Sequence, residues 1–147
     1  MSEMFTVNRR VGRLVEARVF RLADLADANR YAAAFGPAMG NVEQPVLCAD
    51  HRPVAIYPPP VADRLVETFI GLNKHWERVA ILVAPTNATL AMQLQRIVRE
   101  SKNPSRRVFF EADEAHAFLG ERLETAERAR LGAFLAEHPV SRPRPAR

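Results

Sequence analysis

Arg78-Val79-Ala80-Ile81-Leu82-Val83-Ala84 is the stretch that decides the fold. It is apolar almost from end to end, so as a strand it has no side to offer to water. Such a strand needs cover on both faces, the situation of a parallel sheet with helices on each side. Pro85-Thr86-Asn87 closes it. Thr86 or Asn87 is placed to cap a helix over about Ala88–Ser101, on which Leu90, Leu94, Ile97 and Val98 form the buried side.

The same alternation of elements extends in both directions. Upstream, Val46–Ala49 is a short apolar run suited to a buried strand, and Pro60 can occupy the first turn of a helix running to about Lys74. That helix carries Val61, Leu65, Phe69, Leu72 and Trp76 as an apolar stripe. Downstream, Asn103-Pro104-Ser105 is a turn and Arg107–Glu111 is a fourth apolar strand. A short helix from Asp113 to about Gly120 follows, with Ala115, Phe118 and Leu119 facing in. The last helix, about Glu124–Glu137, carries Leu131, Phe134 and Leu135. At the other end, Met4–Phe20 has period two: Phe5 and Val7, then Val15, Ala17 and Val19, alternate with polar residues. Gly12 between them predicts an antiparallel hairpin. A helix over about Leu22–Phe35, with Asp24 near its start, is expected to stop at Gly36-Pro37. Strands separated by helices require right-handed crossovers. The expected fold is therefore α/β: a mixed, mostly parallel four- to five-stranded sheet with helices and an N-terminal β-hairpin at its edge.

A chain of 147 residues fits one domain, expected here over residues 1–138. Residues 139–147 form a basic Pro/Arg tail with no apolar period, expected to be disordered. The net charge of +4 raises a nucleic-acid role, but Arg142, Arg144 and Arg147 of that tail supply most of it. The remaining basic residues are scattered rather than striped along one face, which argues against nucleic acid. No apolar stretch approaches the length of a membrane span. The start of the chain lacks the apolar run of a secretory signal, and with one free thiol a cytoplasmic location is expected. Cys48 lies in the apolar run Pro45–Ala49 and reads as a buried, inert thiol.

The order of elements resembles the STAS superfamily, in its small bacterial SpoIIAA-like (anti-sigma-factor-antagonist-like) branch, over about Met4–Leu123. Carrying the resemblance are the hairpin with Gly12, the strand Pro45–Ala49, the strand Arg78–Ala84, and the ending Arg106-Arg107-Val108-Phe109-Phe110-Glu111-Ala112-Asp113-Glu114-Ala115-His116-Ala117-Phe118-Leu119. It implies a regulatory or ligand-binding domain. Phosphorylatable members carry a serine or threonine directly after the third strand; here Asp50-His51-Arg52-Pro53 stands there. No serine or threonine occurs between Cys48 and Thr68. A kinase-regulated switch at that place is not expected, although Asp50 could present a constitutive negative charge instead.

Candidate sites fall at the carboxyl ends of strands, where ligands of open parallel sheets bind. Asp50, His51 and Arg52 offer an acceptor, a titratable ring and a fork donor; their plain alternative is a solvated turn. Thr86 and Asn87 sit at a helix N-terminus suited to an anion, or serve only as the cap. Ile56 and Tyr57 lie in a segment stiffened by Pro53, Pro58 and Pro59. They read either as a preset partner anchor or as side chains tucked under the loop. His51, His75, His116 and His138 have no metal-ligand spacing. No Gly-rich phosphate loop or nucleophile elbow is present. No catalytic set, metal or cofactor is expected. The expected function is a non-enzymatic regulatory or protein-interaction module whose partner is another protein, a second copy of the chain included. The alternative is a carrier or sensor of a small apolar or anionic ligand.

Overall fold

The computed structural model describes residues 4–137, so the expected tail Pro139–Arg147 and His138 lie outside the described residues. The hairpin is formed by β1 (Phe5–Val11) and β2 (Leu14–Val19), antiparallel, with Phe5 opposite Val19. Gly12 turns the chain at φ +57°, a left-handed conformation that glycine adopts without steric cost. A Cβ there would stand 2.0 Å from Glu127 Oε2. Glu127 also accepts a hydrogen bond from Arg13 N at 2.7 Å, which ties the hairpin turn to the last helix.

Helix α1 (Leu25–Met39) is capped by Asp24, whose carboxylate accepts from Asp27 N at 3.0 Å. It does not stop at Gly36-Pro37. Pro37 sits inside it, and the helix ends at Gly40, whose N–H donates to Gly36 O at 3.1 Å. Proline in a helix forfeits one backbone bond. The continuation keeps Met39 buried on the stripe of Tyr31 and Phe35, which offsets that loss.

Three βα units follow: β3 (Val46–Asp50) and α2 (Pro59–Leu72), β4 (Arg78–Leu82) and α3 (Ala88–Ser101), then β5 (Arg106–Phe109) and α4 (Ala112–Gly120). A final helix, α5 (Thr125–Ala136), closes the described chain. The strands form one sheet in the order β1-β2-β3-β4-β5, with β2 to β5 parallel. The expected α/β fold, with β4 interior and the hairpin at the edge, is what the molecule has. Trp76, assigned in the sequence to the α2 stripe, lies past the helix end but is still buried.

The two faces of the sheet bury two separate cores. Val15, Ala17 and Val19, Leu47 and Ala49, and Val79, Ile81 and Val83 pack against α1, α2 and α3. The alternate residues Leu14, Val46, Cys48, Ala80 and Leu82 pack with Ala115 and Leu119 of α4 and with Leu131, Phe134 and Leu135 of α5. On β2 the residues alternating with the apolar ones are Glu16 and Arg18, and they are buried too. Helix α5 covers them with matched charge: Arg130 Nε and Nη2 each donate to Glu16 at 2.7 Å. No helix among the described residues is long and apolar enough to cross a membrane.

Candidate functional site

Parallel pairing of β2 and β3 puts Arg18 opposite Asp50 at the carboxyl end of the sheet. Asp50 is fully buried. Arg18 Nε donates to its Oδ2 at 2.9 Å; Arg52 donates to Oδ1 through its backbone N at 3.0 Å and Nε at 2.9 Å. Arg52 Nη2 reaches Oδ2 at 3.0 Å. Burial works to raise the carboxyl pKa, but the hydrogen bonds from Arg52 and Arg18 and the Arg52 charge hold it below the ordinary value. Asp50 therefore presents no free negative charge, which corrects the expectation that it does so in place of a phosphoacceptor. Nor is Asp50-His51-Arg52 a solvated turn, because Asp50 and His51 are buried.

The two arginines also hold the end of α5. Arg18 Nη1 donates to Glu137 Oε1 at 2.5 Å and Nη2 to Phe134 O at 2.8 Å, while its guanidinium stacks 4.1 Å over the Phe134 ring. Arg52 Nη2 donates to Leu135 O at 3.2 Å and Glu137 O at 3.1 Å. One buried carboxylate thus organises two cations that clamp a helix C-terminus, a place where cations are favoured.

His51 Nδ1 and the Tyr57 hydroxyl share a hydrogen bond of 2.7 Å. Nε2 of the same ring is buried with no partner among the described residues. Burial outweighs the nearby Asp50 charge and lowers the His51 pKa to about 4, so the ring is neutral at physiological pH. Tyr57 is 1% exposed. Its backbone N donates to Gln93 Oε1 at 3.0 Å, and Gln93 Nε2 donates back to Tyr57 O at 2.7 Å. Of the two readings for Tyr57, the packed one holds: a ring whose hydroxyl finds a buried partner gains more inside than at the surface.

Asn87 is the cap of α3, accepting from Leu90 N at 3.0 Å through Oδ1. Its Nδ2 donates to Val54 O at 3.1 Å and Ala55 O at 2.8 Å. With the amide committed on both sides, Asn87 serves as cap and loop clamp rather than as an anion ligand. Thr86 beside it is exposed. Ile56, held between the Asn87 and Gln93 contacts, is 55% exposed. It borders an open groove of about 380 Å³ lined by Phe20, Leu22, Pro53, Val54 and Pro58. A larger and more polar cleft of about 670 Å³ lies among the loops at the opposite end, beside Gly40, Glu43, Gln44, Lys74 and His75.

Of the seven candidate residues, Asp50 and Arg52 form one packed pair and His51 and Tyr57 another, Asn87 clamps the loop, and Ile56 and Thr86 reach the surface. Arg18, Gln93 and Glu137 complete the arrangement. In the sequence Arg18 shows only as one polar step in an alternating strand, and Gln93 and Glu137 as polar helix positions. Among the described residues no group of three or more His, Cys, Asp or Glu side chains could hold a metal ion. The Cys48 thiol is buried, and burial followed by the Asp50 charge raises its pKa, opposing the thiolate. Against this geometry, no protein-family model, curated protein or solved structure matches the chain.

Proposed function

We propose that this chain is a regulatory protein-interaction module of STAS type, bacterial and cytoplasmic, which docks a partner protein through the rim of loops at the carboxyl ends of β2 and β3. The observation that carries the reading is Ile56: a large apolar side chain, 55% exposed, on a loop pinned from both sides and next to an apolar groove. An anchor held in place before contact loses little conformational entropy on docking. The strand order supports the same reading. Ligand crevices of α/β sheets open where the strand order reverses, and here β1 to β5 run in sequence without reversal. The carboxyl edge is a continuous rim, better suited to another protein's surface than to a small substrate.

The resemblance to STAS domains rests on this sequential order, the N-terminal hairpin and the placement of the β3–α2 loop. With Asp50 clamped and no serine or threonine in that loop, control by phosphorylation there is excluded from the proposal. Partner choice would be set by the loop's shape. The test is a photo-reactive residue substituted for Ile56 in the native host, with the same residue at Ile70 as control. Ile70 is equally open, at 52%, but lies near the far end of α2. A discrete crosslinked protein from position 56 and not from position 70, lost on Ile56→Asp in pulldown with the purified partner, is the expected result. Identical products from both positions would place docking elsewhere.

A further inference from the structure

The sheet has two edges, and the chain treats them differently. The β1 edge is protected: its ladder to β2 slips between Asn8 and Val11, and Asn8, Arg9 and Arg10 stand exposed on it. A bulge and a run of charge are common means of keeping an edge strand from pairing with another chain. At the other edge, β5 has no bulge and stays in register with β4 from Arg106 to Phe109. Its exposed charged side chain, Arg107, is drawn over the Phe118 ring, 4.8 Å from the centroid.

The ladder fixes which backbone groups of β5 are free. Val79 N donates to Ser105 O and Val83 N to Phe109 O, each at 2.9 Å. In a parallel ladder alternate residues bond to the same neighbour, so Ser105, Arg107 and Phe109 serve β4. Arg106 and Val108 direct their N–H and C=O groups the other way, out of the sheet. Arg106 N is spent within the turn, on Asn103 O at 3.1 Å. Val108 keeps both an outward donor and an outward acceptor with no partner among the described residues. Phe110, 37% exposed, follows one step past the strand.

The free groups select the partner. A strand lying antiparallel on β5 exchanges both bonds with Val108, the residue that has both to give. When that strand is a second β5, a twofold axis passes at Val108 and the two copies of Val108 bond each other. Arg107 then stands opposite Phe109 of the second copy at the closer, non-hydrogen-bonded spacing, and symmetry makes this contact twice. Glu111, exposed, falls on the diagonal from Arg107 of the second copy, within reach of so long a side chain. Cation meets ring and carboxylate, and no like charges are opposed. Moving the axis to Arg107 would set the two guanidinium groups directly against each other, a destabilising pair. It would also call on Arg106 N–H, which is taken.

We propose that the chain self-associates through β5, two copies pairing antiparallel about Val108 to make one continuous sheet. Strand addition at an open edge is a general mode of protein contact. The strands reverse direction at the seam, so the carboxyl ends of the two halves face opposite ways and the dimer can bridge two partners. The inference stands whether or not the rim beside Ile56 docks a protein.

A seam built on one four-residue strand belongs to the small, weak class of interfaces, with a dissociation constant of about 10–500 µM. In sedimentation of the full chain, the mass should rise from the 16.5 kDa monomer at about 5 µM toward twice that at about 1 mM. Amide exchange at Val108 should slow severalfold over the same range. Val108→Pro removes the outward N–H and leaves every bond to β4, a substitution that edge strands accept. It should stay monomeric with an unchanged circular dichroism spectrum. Arg107→Glu sets a carboxylate against Glu111 of the second copy and should weaken association by about tenfold or more. A monomer mass up to about 1 mM would overturn the proposal. So would undiminished association of a folded Val108→Pro or, should that variant fail to fold, of Arg107→Glu. Slow exchange at Val108 that appears only when a different protein is added would also overturn self-pairing, in favour of a foreign strand on the same edge.

Discussion

Replacing Asp50 by alanine tests the clamp at the carboxyl end of the sheet most directly. The carboxylate accepts from Arg18 Nε, and from Arg52 N, Nε and Nη2. Without it, the side chains of Arg18 and Arg52, only 9% and 13% exposed, lose their common buried counter-charge. Breaking a buried ion pair from one side costs about 3–5 kcal/mol. Arg18 still has Glu137, itself half exposed, and both arginines still have carbonyl acceptors, which places the expected loss near the lower end, about 3 kcal/mol. For a chain of this size that is a melting temperature lower by about 6–12 °C. The pH dependence has a definite sign. The folded-state pKa of Asp50 is depressed, so its contribution is complete above the unfolded value of about 4 and is lost as pH falls through the folded value. Urea unfolding followed by circular dichroism should therefore show the full difference between wild type and Asp50→Ala at neutral pH, shrinking as the pH falls below the unfolded value of about 4 toward the depressed folded value. Urea is preferred because guanidinium screens ion pairs. A loss below about 1 kcal/mol at neutral pH, or one that does not shrink in acid, refutes the clamp.

Three further outcomes are expected. Because His51 is neutral in the fold with a pKa of about 4, against 6.5 when unfolded, stability should decline as pH drops from about 6.5 toward 4, by about 3 kcal/mol in all. Urea midpoints over that range in wild type and in His51→Gln measure it, and the variant should lose most of the slope. Leu82→Ala, at a fully buried position beneath α4, should cost about 2–5 kcal/mol by equilibrium unfolding. Gly12→Ala should destabilise markedly because its φ is +57° and its Cβ would meet Glu127, whereas Gly71→Ala, on an exposed helix turn with nothing within 4 Å, should stabilise by about 0.5–1 kcal/mol. Paired melting curves separate the two signs.

The sheet was legible because its signals are local. Ala88–Ser101 can be bounded from sequence alone, since the cap Asn87 and the apolar spacing of Leu90, Leu94 and Ile97 are all contained within that helix. The run through Gly36-Pro37 was not legible, because what carries α1 to Met39 is burial against distant elements that outweighs a local break. Glu16 and Arg18 look like one polar face of a hairpin; their partners Arg130 and Glu137 lie more than a hundred residues away, 114 in the first case and 119 in the second. Tyr57 stands in a proline-rich stretch that fits an exposed or a packed ring equally well. The choice is made by His51 and Gln93, and a sequence gives no sign that those side chains face it.

Helix α5 has a consequence for the order in which the protein is made. Domains are built as the chain emerges from its N-terminus, and β2 and β3 leave the ribosome long before the helix that covers the β2 end of their outer face. For that interval the surface destined for α5 is open to solvent and to other nascent chains. Bare sheet surface and unpaired strands are what such chains aggregate through. Here the exposed positions include, beside the apolar Leu14, Glu16 and Arg18, charged side chains that water solvates while they wait and that Arg130 and Glu137 pair with on arrival. A wholly apolar seam would pack as well at the end but would be more adhesive in the meantime. The two charged positions keep part of the most delayed joint in the molecule wet until its own helix closes it.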